Sequence, residues 1–200
     1  MTQYNHEDRN HNREAQGANP LRPIPSDCPD HSPFKVKGET GNPSRALIKY
    51  AHSAQILTQL NSGQLFIVDS RRRCGLIVYK QFHAEFVGPG AAVGGIFDIE
   101  CQQTIPVGDL VLLYPESYEE RQKAFAIRRH WIRLIEQLTV QPVSLQRTQM
   151  LLTQFQHYFD RETVIRLPDE AIARLVGVLP QTVRTIRRLE QKSPVKVAAG

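Results

Sequence analysis

The stretch DEAIARLVGVLPQTVRTIRRLEQK, residues 169–192, places apolar side chains at Ile172, Val176, Val178, Val183 and Ile186, with a small Ala173 and a Gly177 between them. Two helices that meet at a steep angle need a small residue where they cross, a glycine that can take a positive φ at the turn, and apolar residues on the facing sides. Ala173 and Gly177 fill the first two roles, and Val183 and Ile186 supply the facing side of the second helix. Pro180 stands where a helix has no use for an N–H and where a fixed φ helps it start. The spacing predicts a helix-turn-helix, with helices at about 168–176 and 180–191.

If Val183, Ile186 and Leu189 turn inward, the opposite face of the second helix carries Gln181, Arg184, Thr185 and Arg188, flanked by Arg187 and Lys192. Such side chains reach base edges and phosphates. Residues 171–192 hold five basic side chains, Arg174, Arg184, Arg187, Arg188 and Lys192, against one acidic, Glu190, while the whole chain of 200 residues carries a net charge of +5. The charge is concentrated where the motif would use it. The plain alternative is a solvated helix face, and the agreement of apolar spacing, Gly, Pro and local charge weighs against it.

Residues 1–43 are rich in Asn, Pro, Asp, Glu, His and Ser and poor in aliphatics, so a disordered arm is expected. His6, Glu7, Asp8 and His11 within it read as solvated polar residues, not as a metal site. From 44 to 115 the pattern is β-rich. After a helix-compatible segment with Leu47, Ile48, Ile56 and Leu57, strands are expected at QLFIVD (64–69), GLIVYK (75–80), IFDIEC (96–101) and DLVLLY (109–114). SRRRC between the first two fits a hairpin turn, and PVGD a turn before the last.

Beyond Pro115 the periodicity becomes helical. Ser117 caps a segment with Glu119 and Glu120 in its first turn and Ala124, Ile127, Trp131, Leu134, Ile135 and Leu138 along one stripe, which lines either an internal core or a subunit interface. Gln141 and Pro142 end it, and a further helix over 144–159 carries Leu145, Leu152, Phe155 and Phe159. The expected organisation is an arm (1–43), a β-rich unit (44–115), a linking helix (116–140), a helix-turn-helix unit (143–192) and a flexible tail (193–200). The fold class expected is α+β.

The run QRTQMLLTQFQHYF, followed by IRLPDEAIARLVGVLPQTVRTIRRLEQ, resembles the carboxy-terminal DNA-binding domain of the Crp/Fnr family of bacterial transcription regulators over residues 145–191. The matching parts are QR at a helix start, LPDEAIA leading into the first motif helix, LVG at the turn and TVRTI in the recognition helix. The resemblance puts base reading on positions 180, 181 and 185, of which Gln181 and Thr185 can hydrogen-bond a base, and gives Thr182 a phosphate. It implies a homodimer through the helix over 118–138, with recognition helices about 34 Å apart. Two departures stand out. Leu179 and Pro180 replace the usual Ser or Thr cap, and KSPVKVAAG is too short for the family's wing. Residues 76–114 resemble the second half of the family's cyclic-nucleotide barrel. GGIFDIECQQT, however, lacks the arginine such a site uses to hold phosphate, so no cyclic nucleotide is expected.

GPGAAVGG has GxGxxxG spacing with a proline inside and no amphipathic helix following, so it reads as a turn and not a dinucleotide site. No GxSxG, HExxH or Walker lysine occurs, and no enzymatic activity, cofactor or metal is expected. Cys28, Cys74 and Cys101 lack CxxC spacing and form an odd set, which fits a reducing cytoplasm. Cys74, following Arg71, Arg72 and Arg73, is either a low-pKa redox sensor or a buried thiol. The amino terminus is polar where a secretory signal is apolar, and no run nears the roughly 20 apolar residues that span a bilayer. The function expected is a cytoplasmic, sequence-specific DNA-binding transcriptional regulator whose partners are double-stranded DNA and RNA polymerase. The alternative is a protein-interaction module that docks on polymerase or another regulator without touching DNA.

Overall fold

The computed structural model describes residues 47–49 and 53–192, with side chains from 54 to 190. The expected arm and tail, and with the tail the missing wing, lie outside the described residues, as do the side chains of Leu47, Ile48 and Lys192. The elements are β1 (Leu47–Lys49), α1 (Ser53–Asn61), β2 (Leu65–Val68), β3 (Gly75–Tyr79), β4 (Ala84–Val87), β5 (Ala92–Gly94), β6 (Gln103–Val107), β7 (Val111–Leu113), α2 (Tyr118–Thr139), α3 (Ser144–Tyr158), α4 (Arg161–Arg166), α5 (Asp169–Val176) and α6 (Pro180–Lys192). A short 3-10 turn, Gly95–Phe97, follows β5. The class is mixed α+β, built on two antiparallel sheets in the orders β1-β7-β2-β5 and β4-β3-β6.

The expected hairpin between β2 and β3 does not form, because the two strands lie in different sheets. Asp69 explains the divergence: its carboxylate accepts from the Arg71 N–H at 3.0 Å and from Arg71 Nε at 3.3 Å, an Asx turn that leads the chain out of the first sheet. Every residue of β3 is buried. It lies between β4 and β6, in the register Leu76↔Val87 and Leu76↔Pro106. Pro106 is tolerated there because β6 is an edge strand.

The strand expected at 96–101 is also absent. Its residues wrap around Asp98, which is fully buried and accepts from the Gly94 N–H at 2.7 Å. Arg128 from the middle of α2 meets both carboxylate oxygens, at 2.5 and 2.9 Å, and also reaches Glu85 on β4 at 2.6 Å and the Ala92 carbonyl at 3.2 Å. Lys80 adds a contact of 2.6 Å to Asp98 and donates to the Phe97 carbonyl. A buried carboxylate is costly unless paired and hydrogen-bonded, and a strand would turn Asp98 away from these donors. Burial by itself would raise the Asp98 pKa, but the hydrogen bonds and charges of Arg128 and Lys80 outweigh it and hold the carboxyl below its usual value.

α2 begins as its sequence indicates, with Ser117 Oγ accepting from the Glu120 N–H at 3.1 Å. Of its apolar stripe, Ala124, Trp131, Ile135 and Leu138 are buried and Ile127 and Leu134 pack half-buried against the core, so the stripe lines an internal core of this chain. Trp131 packs edge-on to Phe86 of β4, with centroids 5.3 Å apart, and lies against Tyr158 of α3 at 4.9 Å. Gly88 is required by that fit: a Cβ there would stand 2.2 Å from the indole. Phe86 also touches Phe155 and Phe159, at 4.9 and 5.7 Å, which carries the packing into the helical half. One apolar cluster thus runs from Ile56 to Ile186, and among the described residues the packing shows no break near 115 or 143.

Two outcomes are expected. Arg128→Met leaves Asp98 without its main partner and should destabilise the chain by about 3–5 kcal/mol at neutral pH. Because the folded carboxyl lies below its unfolded value of about 3.9, the Asp98 contribution is present above that pH and lost as pH falls through the folded value. Urea melts of variant and parent should therefore converge at acid pH. Phe86→Ala should cost about 3–5 kcal/mol. It should shift the far-UV circular dichroism transition and the fluorescence transition of Trp131, the sole tryptophan, together, as a continuous core requires.

Candidate nucleic-acid interface

α5 and α6 are two helices joined by a short turn and packed on one another, at the positions expected from the spacing. Asp169 and Glu170 occupy the first turn of α5, and Ala171, Ile172, Ala173, Leu175 and Val176 are buried. The α5 helix stops at Gly177, in the left-handed region at φ 62 and ψ 50, with the Val178 N–H reaching back to the Ala173 carbonyl at 3.0 Å. An added Cβ at Gly177 would meet nothing within 4 Å, so the glycine is needed for its backbone angle and not for space. α6 begins at Pro180, where the Thr182 N–H bonds to the Leu179 carbonyl at 2.9 Å in place of a side-chain cap.

Val183 and Ile186 are buried, as a helix packed on α5 and α3 requires. Leu189 departs from the expectation: it is 54 % exposed. It lies one turn beyond Ile186, where the amphipathic stripe has rotated off the core. Leu145 is likewise exposed, in the first turn of α3 before that helix reaches the core at Thr148.

The outward face of α6 carries Gln181, Arg184, Thr185 and Arg188, all exposed, with Thr182 half-buried beside them. The Thr185 hydroxyl donates to the Gln181 carbonyl at 2.9 Å, so toward a partner it offers an acceptor. Arg184 is held at its base: Nε donates to Asp169 Oδ2 at 3.2 Å, and Nη2 stands 3.8 Å from Glu170 Oε1, outside hydrogen-bonding distance.

Two of the five basic residues counted in this segment have internal duties. Arg174 stacks over the Tyr79 ring at 5.0 Å and ties α5 to β3. Arg187 donates Nη1 to the Ile165 carbonyl at 2.9 Å and Nη2 to those of Leu167 and Val164 at 2.8 and 3.2 Å, while its Nε lies 3.4 Å from Asp169 Oδ1. Those carbonyls close the C-terminal end of α4, where helix geometry leaves oxygens without partners. Arg187 therefore binds α6 to α4 and α5. α4 carried no apolar periodicity long enough to stand out. Its signal is the cap Asp160, whose carboxylate accepts from the Thr163 N–H at 2.8 Å and its hydroxyl at 2.6 Å.

Elsewhere, Cys74 and Cys101 are buried, and burial, before any other influence, raises both thiols above the usual range, which removes support from the redox-sensor alternative. GPGAAVGG runs from a turn into β5, with Ala91, Ala92 and Val93 fully buried. A groove of about 550 Å³ between the β6–β7 turn and α4 mixes Arg73 and Arg166 with Asp109, Asp160 and Glu162, so it has no dominant charge. Among the described residues no three His, Cys, Asp or Glu side chains gather as metal ligands, and no helix is long and apolar enough to cross a membrane.

Arg187→Ala should take this donor from the Ile165 and Leu167 carbonyls and lower stability by about 1–3 kcal/mol, read by thermal or urea melts. Arg188→Ala, on the exposed face, should leave stability within about 0.5 kcal/mol of the parent.

No protein-family model, no curated protein and no solved structure matches this chain.

Proposed function

We propose that this protein is a sequence-specific DNA-binding transcriptional regulator, cytoplasmic and without enzymatic activity, that lays α6 in the major groove. The observation that carries the reading is the division of α6: Val183 and Ile186 are buried while Gln181, Arg184, Thr185 and Arg188 stand on one exposed face beyond an αL glycine turn. The resemblance of residues 145–191 to the Crp/Fnr DNA-binding domain supports the same reading. Arg184 and Arg188 are the cations of the interface, Gln181 and Thr185 its amide and hydroxyl, and Thr182 a phosphate contact. Arg187 supports the face from behind. A homodimer belongs to the proposal. With the Trp131 stripe turned into the chain's own core, the dimer would use another side of α2, where Tyr118 is exposed and Ile132 is half-buried.

A second reading is favoured by a specific observation: Leu179, just before α6, and Leu189, in its last turns, are 69 % and 54 % exposed. Apolar side chains there suit a protein partner such as RNA polymerase or another regulator.

Fluorescence anisotropy with random duplex fragments at several salt concentrations decides between them. DNA binding by this face should give log Kobs falling linearly with log salt, with a slope of about −0.9 for each phosphate neutralised, reduced by about one on Arg188→Ala. Absence of binding, or a flat response, overturns the DNA reading and leaves the docking module.

A further inference from the structure

The acidic residue that opens α5 faces the cations of α6, an arrangement that weakens attraction for phosphate and therefore calls for a use. The Asp169 carboxylate lies between two guanidinium groups, one oxygen to each: Oδ2 accepts from Arg184 Nε at 3.2 Å, and Oδ1 lies 3.4 Å from Arg187 Nε. Its side chain is only 20 % exposed, whereas that of Arg184 is 52 % exposed. The acid is thus part of the scaffold and the arginine projects from it.

Arg187 is in turn anchored to the Val164, Ile165 and Leu167 carbonyls at the C-terminal end of α4, so the carboxylate has a fixed support behind it. Gripping Arg184 at Nε orients the planar fork while no described hydrogen bond uses its Nη atoms. Those atoms match the two acceptors on the major-groove edge of guanine. A long side chain without such support loses rotamer freedom when it binds a base, and a fixed one has less to lose.

We propose that Asp169 is a positioning residue for DNA reading, which braces Arg184 so that its Nη edge selects guanine. This rests on the DNA-binding reading above. Asp169 touches no base; it acts through Arg184, and it lowers affinity for arbitrary DNA while raising discrimination. The neighbouring Glu170, 3.8 Å from Nη2, contributes charge without directed contact.

The test uses the full chain and duplexes selected from a randomised library, with each guanine of the selected site replaced in turn. Asp169→Asn should lower the preference for guanine at one position by about tenfold, the share of a single good bidentate contact, while affinity for random duplex stays level or rises. Arg184→Lys, which keeps the charge but not the fork, should lose the same preference, and adding Asp169→Asn to it should change nothing further. Additive losses in the double variant, or an unchanged preference in Asp169→Asn, overturn the proposal even when the parent binds DNA. Failure of the parent to bind DNA at all overturns both this inference and the function it rests on. Asp169→Glu, which retains the carboxylate, should keep more of the preference than Asp169→Asn; if Asp169→Asn does not fold, Asp169→Ser takes its place, loss of the preference supporting the bracing and full preference overturning it.

Discussion

The buried contact between Asp98 and Arg128 organises the rest of the molecule. A carboxylate without exposure is tolerable only when donors surround it, and here they come from three places: the Gly94 N–H beside it in sequence, Lys80 at the end of β3, and Arg128 on α2. Because Arg128 also reaches Glu85 on β4 and the Ala92 carbonyl on β5, it joins both sheets to one helix. Hydrophobic packing tolerates sliding, whereas bidentate ion pairing specifies a register. With Arg128 fixed, Trp131, Ile135 and Leu138 follow along the same side of α2 into the core.

From α2 the order passes to the carboxy-terminal helices through aromatic rings. Phe86 meets Trp131, Phe155 and Phe159 within 5.7 Å, and Arg174 stacks on Tyr79, so α3 and α5 are both attached to the strands. α6 inherits its orientation from that packing and from Arg187. This places the basic residues in distinct duties. Arg174 and Arg187 join elements, Arg184 is half-exposed with its base held, and Arg188 stands outward. A count of charges along the segment treats these four alike, although their environments differ.

The helices were largely legible in the sequence. Ser117, Pro142 and the turn at Gly177 mark ends that the structure reproduces within a residue or two, because caps and breakers act locally. β2, β3 and β7 were legible as apolar runs. α4 was not, since six residues hold too little periodicity to stand out beside Asp160. The segment at 96–101 misled for a different reason. Its alternation is that of a strand, but the desolvation of Asp98 overrides local preference, and the arginine that satisfies it stands thirty residues away. The partner was invisible because nothing in either neighbourhood names the other.

By itself the sequence determined the motif at the carboxy terminus. Helix periodicity, the positive φ of Gly177 and the start at Pro180 are set within a few residues of where they act, and they divide α6 into a buried and an outward side. Only the tertiary structure decided which strands pair, whether the Trp131 stripe faces inside or out, and which cations belong to the surface. Those outcomes depend on contacts between residues far apart in the chain, whose energies arise from desolvation and mutual packing. Such energies exist only once the partners have met.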